Sequence, residues 1–191
     1  MNIGFIQRFI AVLILGFFVS GCTSKTSSYV KPYVTLNQNK EQKIKVNLVE
    51  VNDQRDTKVV STILKKDKTK TTYTLDTDIT SWYTQALKRE LNTVKMYDEK
   101  SSSKIDVTVN IKVLKAIYKK DAFDKKNMSV HIMLELVFKE GLTTHKSNIN
   151  INQTAYKPVV LDAEGFETIL NESMIDSVSN TIAILIKKLN K

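Results

Sequence analysis

Two long stretches of this chain change polarity at nearly every residue. Ile105, Val107, Val109, Ile111 and Val113 alternate with polar side chains, and Met128, Val130, Ile132, Leu134, Leu136 and Phe138 do the same. A period of two is the pattern of a strand with one face in a core and the other in solvent. Leu114, Ala116 and Tyr118 continue the first strand in the opposite phase. Lys119–Asn127 is a polar turn, and Lys139–Thr144, with Gly141, is a hairpin turn. Thr144–Tyr156 alternates more weakly through Ile149, Ile151 and Ala155. These segments predict an antiparallel meander with one apolar face, which something else must cover.

The cover is also in the chain. Ile79, Trp82, Tyr83, Ala86, Leu87, Leu91 and Val94 fall at helical spacing, with Asp76 or Thr77 placed to cap the helix and Asp78 and Lys95 at its two ends. Trp82 at this spacing is a packing residue. A second helix carries Phe166, Leu170, Met174, Val178, Ile182, Leu185 and Leu189, widened by Ile169, Ile175, Ile184 and Ile186, with Asp162 as its cap. Upstream, Ile44–Val51 reads as a strand whose phase shifts at Val49, as at a bulge. Asn52–Asp56 is a polar break, and Thr57–Leu64 and Thr71–Leu75 are short strands around a charged turn. The predicted fold is α+β: a two-layer sandwich, an antiparallel sheet covered on one face by two amphipathic helices.

The uncovered sheet face carries Asp106, Thr108, Asn110 and Lys112, then Ser129, His131 and Glu135. Met133 and Val137 interrupt this polar surface. The face around His131, Met133, Glu135 and Val137, or an edge strand, is therefore the expected contact surface for a partner.

The N-terminus supplies an address. Arg8 precedes an apolar run, Phe9–Val19, too short for a spanning helix, which needs about 20 residues. Val19-Ser20-Gly21-Cys22 follows and contains the only cysteine of the chain. This stretch resembles a bacterial lipobox. The resemblance implies cleavage between Gly21 and Cys22, a diacylglyceryl thioether on the thiol and an acylated new amine. Two or more acyl chains anchor stably, at ~0.8 kcal/mol per buried CH₂. Thr23, rather than Asp, after the cysteine is similar to an outer-membrane sorting signal. The expected organisation is a signal peptide over 1–21, a lipidated Cys22 with a flexible tether over 22–42, in which Pro32 and Tyr33 begin to dock on the domain, and one periplasmic domain over 43–191.

Composition narrows the function. The net charge is +9, and loss of Arg8 leaves +8, spread mostly over Lys residues rather than gathered in one patch. Export removes nucleic acid as a partner, and no disulfide can form within one chain. His131 and His145 are the only histidines, and the five glycines make no phosphate-binding loop. Asp53, Asp56, Asp76 and Asp78 could meet in space, but turn and cap duties account for each. No nucleophile–base pair and no metal-ligand spacing appears. We therefore expect no catalytic residues, metal or cofactor, and a protein that is not an enzyme.

In order and spacing, the lipobox, the first strand running into "VEVNDQRDTKVVS" (Val49–Ser61), the helix "TSWYTQALKREL", the meander and the last helix resemble the YajG-type bacterial lipoproteins. The resemblance implies a lipoprotein of the outer membrane facing the periplasm, with no assigned reaction. The same layout is similar to auxiliary lipoproteins of envelope lipid-transport systems. The expected function is a membrane-anchored, non-enzymatic interaction or assembly module with an envelope protein partner. Lipid or transporter binding as a transport auxiliary, and surface adhesion, are the alternatives.

Overall fold

A computed structural model of the chain describes residues 23–28, 30–34, 44–64, 70–100, 104–120, 126–155 and 163–189. In chain order the elements are β1 (Thr23–Ser28), β2 (Lys45–Asp53), β3 (Val59–Leu64), β4 (Lys70–Leu75), α1 (Ile79–Thr93), β5 (Lys104–Lys120), β6 (Lys126–Glu140), β7 (Thr143–Ala155) and α2 (Ala163–Leu189). The strands form a four-stranded sheet, β2-β5-β6-β7, and a three-stranded one, β1-β4-β3. The α+β class and the helical cover on one sheet face are as the polarity pattern requires.

The alternation places the core. Val107, Val109, Ile111, Val130, Ile132, Leu134 and Leu136 are each at most 1% exposed. Phe166, Leu170, Met174, Val178, Ile182 and Leu185 of α2, and Tyr83, Ala86, Leu87 and Leu91 of α1, are buried on the same side. The phase switch in β5 is a bulge between Ile111 and Val113, after which Leu114 and Ala116 point inward. At Gly141 the backbone is left-handed, φ +57°, in the two-residue turn joining Glu140 to Thr143. Glycine at the first central position is what a type II′ hairpin turn needs.

Several expectations are corrected. The four-stranded sheet is mixed: β5-β6-β7 is antiparallel, but β2 lies parallel to β5. Alternation carries no information on strand direction. Here β2 and β5 are joined by a crossover containing α1, and such connections produce parallel neighbours. The bulge in β2 lies between Leu48 and Glu50, but Val49 is the looped-out residue, 56% exposed, and only Val51 returns to the core. The cap of α1 is Asp78, not Asp76 or Thr77; it accepts from the Thr80 and Ser81 amides. The expected cap of α2, Asp162, lies outside the described residues.

The start of the expected tether is also different. Thr23–Ser28 pairs as β1, parallel to β4, and Val30 and Tyr33 are buried. Five contacts strap residues 30–34 to α1 and to Thr77 just before it. The Val30 amide donates to Thr77 Oγ1 (2.9 Å), the Trp82 indole to the Lys31 carbonyl (2.9 Å) and Arg89 to the Tyr33 carbonyl (3.1 Å). The Tyr33 hydroxyl donates to the fully buried Glu90 (2.7 Å), and its ring meets Trp82 edge-on at 6.0 Å. A Ser/Thr/Lys sequence reads as unstructured, yet its backbone can pair as well as any other.

Helix α2 buries a row of small polar residues, Ser173, Ser177 and Thr181, each 0% exposed. Ser177 shares a 2.8 Å hydrogen bond with the Tyr83 hydroxyl and donates to the Met174 carbonyl. Burial pushes the Tyr83 phenol well above its ordinary value, against the opposing effects of Ser177 and of the Arg55 charge.

Helix α1 ends through Lys95, whose φ of 54° is left-handed; the Lys95 and Met96 amides close back on Asn92 and Leu91. A side chain is strained there, and glycine is the usual occupant. Lys95→Gly is therefore expected to stabilise the domain by about 0.5 kcal/mol, read as a higher urea midpoint with an unchanged slope.

Candidate functional site

The outer face of the four-stranded sheet is built by β5, β6 and β7. His131 sits between Lys115 and Asn152, Met133 between Val113 and Asn150, Glu135 between Asn110 and Asn148, and Val137 between Thr108 and Lys146. The four residues expected to form a contact surface thus lie in one row along β6, all half-buried by their cross-strand neighbours. Among the described residues no element lies over this face.

A polar network crosses the same face. Asn52 and Gln54 both donate to Asn110 Oδ1 (3.2 Å each), and Lys112 Nζ donates to Gln54 (2.6 Å). Lys112 and Lys146 flank the Glu135 carboxylate at 3.7 and 3.3 Å. Burial works to raise the Glu135 carboxyl, but Lys146 and Lys112 outweigh it, and the group lies below its usual range.

The second feature is the polar break after β2. Pairing of β2 with β5 ends at Asp53 opposite Ile111, closed by the Gln54 amide on the Ile111 carbonyl (2.9 Å). Beyond this point β3 belongs to the other sheet, and the remaining length of β5 runs beside it with that edge unpaired, its other edge still bonded to β6. Arg55 stands where the strands part. Its Nε and Nη2 both reach Asp53, at 2.7 Å each, a bidentate fork with side chains 6% and 25% exposed. The third guanidinium nitrogen, Nη1, is enclosed and has no hydrogen-bond partner. The Arg55 hydrogen bonds hold the Asp53 carboxyl below its usual range despite partial burial. Between β3 and β5 the parted strands leave a cleft of about 680 Å³, lined by Arg55, Val59, Val60, Lys112, Leu114 and Ile117 among others.

Asp53, Asp78 and Glu135 all lie below their usual ranges, Asp78 through the Ser81 hydroxyl and the Ser81 and Thr80 amides. Folding therefore favours their ionised forms. That stability is complete above the unfolded values, about 3.9 for Asp and 4.3 for Glu, and is lost as pH falls through the folded ones. The urea midpoint is expected to fall from about pH 5 downward, and Glu135→Gln to flatten part of that fall.

Reading the sequence alone missed Arg55, which appeared only as part of a polar break. Its signal is composition: Arg occurs at three positions, 8, 55 and 89, in a chain otherwise supplied with Lys. Arg55 and Arg89 both hold specific acceptors, a task that suits a planar guanidinium better than an ammonium. The signal peptide, Gly21 and Cys22 lie outside the described residues. Among the described residues no group of three or more His, Cys, Asp or Glu could hold a metal ion. No described helix is long and apolar enough to cross a membrane.

No family model matches the sequence, and no curated protein matches it. Solved structures do match in fold. A Xanthomonas campestris protein of family DUF330 aligns with TM-score 0.59 and 7% identity, over 86% of this chain and 98% of that one. An uncharacterized protein aligns at 0.52 and 12% identity, over 84% and 99%. The rare lipoprotein B of Shewanella oneidensis aligns at 0.40 and 9% identity, over 74% and 98%, a level at which the likeness decides nothing. At these identities the first two likenesses are likenesses of fold.

Proposed function

We propose that this chain is a lipid-anchored protein of the bacterial envelope whose domain serves as a non-enzymatic interaction or assembly module. Cys22 is the anchor, acylated after cleavage at Gly21, and the domain faces the periplasm from the outer membrane. The lipobox-like Val19-Ser20-Gly21-Cys22 and the resemblance to YajG-type lipoproteins support the address. Because β1 begins at Thr23, the residue after Cys22, such an anchor would hold the folded body close to the bilayer rather than on a long tether. Confinement of that kind raises the effective concentration of a partner in the same envelope.

One observation carries the interaction reading. The outer face of β5-β6-β7 keeps Met133 and Val137 half-buried within a ladder of mutually bonded polar side chains, with no described element above it. An ordered polar frame around apolar points is the makeup of a docking surface. The partner is an envelope protein.

A photoreactive amino acid at Met133, introduced into the lipidated protein in cells, tests this. A discrete adduct with one envelope protein is expected from position 133 and none from the fully exposed Leu142. Equal adducts from both positions, or none from 133, would refute the docking face.

A further inference from the structure

Of the two outer strands of the four-stranded sheet, β2 is partly closed by the segment after α1. The Val46 amide donates to the Met96 carbonyl (2.7 Å), and the Val46 carbonyl accepts from the Asp98 amide (2.9 Å). Among the described residues nothing pairs with the outer edge of β7. That edge is long and unbroken: β7 matches β6 from Met128 opposite Ala155 to Glu140 opposite Thr143 with no shift of register. Exposed edges are normally blunted by charge, proline or a bulge. Residues 147–155 carry none of the three. A groove of about 370 Å³ follows the edge, lined by residues 148–153 and by Asp176, Asn180 and Ile184 of α2. Ile151 and Ile184 are left half-buried there.

What fits this edge is written in its own sequence. Asn148-Ile149-Asn150-Ile151-Asn152 reads the same in both directions. Facing residues of an antiparallel pair share a sheet face. A second β7 laid antiparallel about a two-fold axis at Asn150 therefore sets like against like: Asn150 faces Asn150, Asn148 faces Asn152, and Ile149 faces Ile151. The exposed Asn side chains then meet on the outer face, and the Ile side chains meet on the core side, where Ile184 lines the groove. Beyond the palindrome Ser147 faces Gln153, and Lys146 faces Thr154 rather than a second cation. With the axis moved to 149 or 151, one Ile of each copy faces Ser147 or Gln153 instead. We propose that β7 is a self-association edge: two copies of this chain pair β7 to β7 with Asn150 on the two-fold axis, joining their four-stranded sheets edge to edge. An unrelated strand would find the same free backbone groups but not this match of side chains. The edge does not depend on the docking face: it joins two copies of the chain, whereas the Met133 adduct joins a different protein.

The test places single cysteines in the full chain, expressed in cells and mildly oxidised. Asn148, Asn150 and Asn152 are exposed, so their replacement leaves the core intact. Directly opposite Cα atoms lie about 4.5–5.5 Å apart, within disulfide reach. Asn150→Cys is therefore expected to give a disulfide that mass spectrometry maps to residue 150 in both copies. Asn148→Cys and Asn152→Cys should give none alone, because each lies four residues along from its own copy, about 13 Å. Coexpressed, those two should join to each other. Leu142→Cys, at the fully exposed hairpin tip, measures chance collision. No link at 150, equal links from 142 and 150, or stronger self-links at 148 or 152 overturn the proposal. Asn150→Lys and Asn150→Glu each set like charges face to face across the axis. Differently tagged Lys and Glu variants should copurify in detergent roughly two- to fivefold better than either variant with itself. Equal recovery of like and unlike pairs overturns the proposal. A link from position 150 to a different envelope protein, with none between copies, gives the edge to another strand and equally overturns it.

Discussion

Asp53→Asn is expected to destabilise the folded domain by about 3 kcal/mol, although Asp53 itself is partly exposed. The reason is its partner. The Arg55 side chain is 6% exposed, and two of its three guanidinium nitrogens are satisfied by the Asp53 carboxylate alone. With an amide at position 53 the cation stays enclosed without a counter-charge, and Nη1 is already without an acceptor. Removing one member of a buried pair costs more than removing both, because the uncompensated charge is what is unfavourable. The double variant Asp53→Asn with Arg55→Met should therefore recover most of the loss. Urea unfolding of the chain from Thr23 onward measures both. If Asp53→Asn costs less than about 1 kcal/mol, the pair behaves as an ordinary surface ion pair and the enclosed position of Arg55 is wrong.

The same residues mark the limit of what the sequence reveals. The one-residue slip at Lys112 was legible, because a bulge turns every later side chain to the opposite face and the polarity pattern records it. The inward rows of β5 and β6 and the apolar stripe of α2 were legible for the same reason. Strand direction was not: β2 has the same side-chain alternation whether it runs parallel or antiparallel to β5. Strand β1 was not legible either, since Thr23–Ser28 contains no apolar residue and pairs through its backbone. Ser173, Ser177 and Thr181 look solvent-facing by residue type, yet they are buried along α2 and satisfy their hydroxyls on helix carbonyls and nearby side chains. At the candidate sites, the row His131–Val137 followed from alternation alone. The cleft required knowing that β2 and β3 part company, which is a property of two sheets and not of any local pattern.

The largest effect expected anywhere in the molecule is on location. Each acyl chain contributes ~0.8 kcal/mol per buried CH₂, so two or more hold a protein on a membrane essentially permanently, and none of that remains without the thiol. No described helix can substitute by crossing the bilayer. The domain should be indifferent to the change, because Cys22 precedes the first strand. Cys22→Ser is therefore expected to leave folding stability unchanged while abolishing membrane attachment.

Fractionation of cells expressing the native chain and Cys22→Ser is the direct measurement. The native protein should sediment with the outer membrane and resist salt and carbonate washes, whereas the Ser variant should lose that wash-resistant attachment. If both distribute alike between pellet and supernatant, the chain is not anchored through Cys22 and the account of a membrane-held interaction module is contradicted.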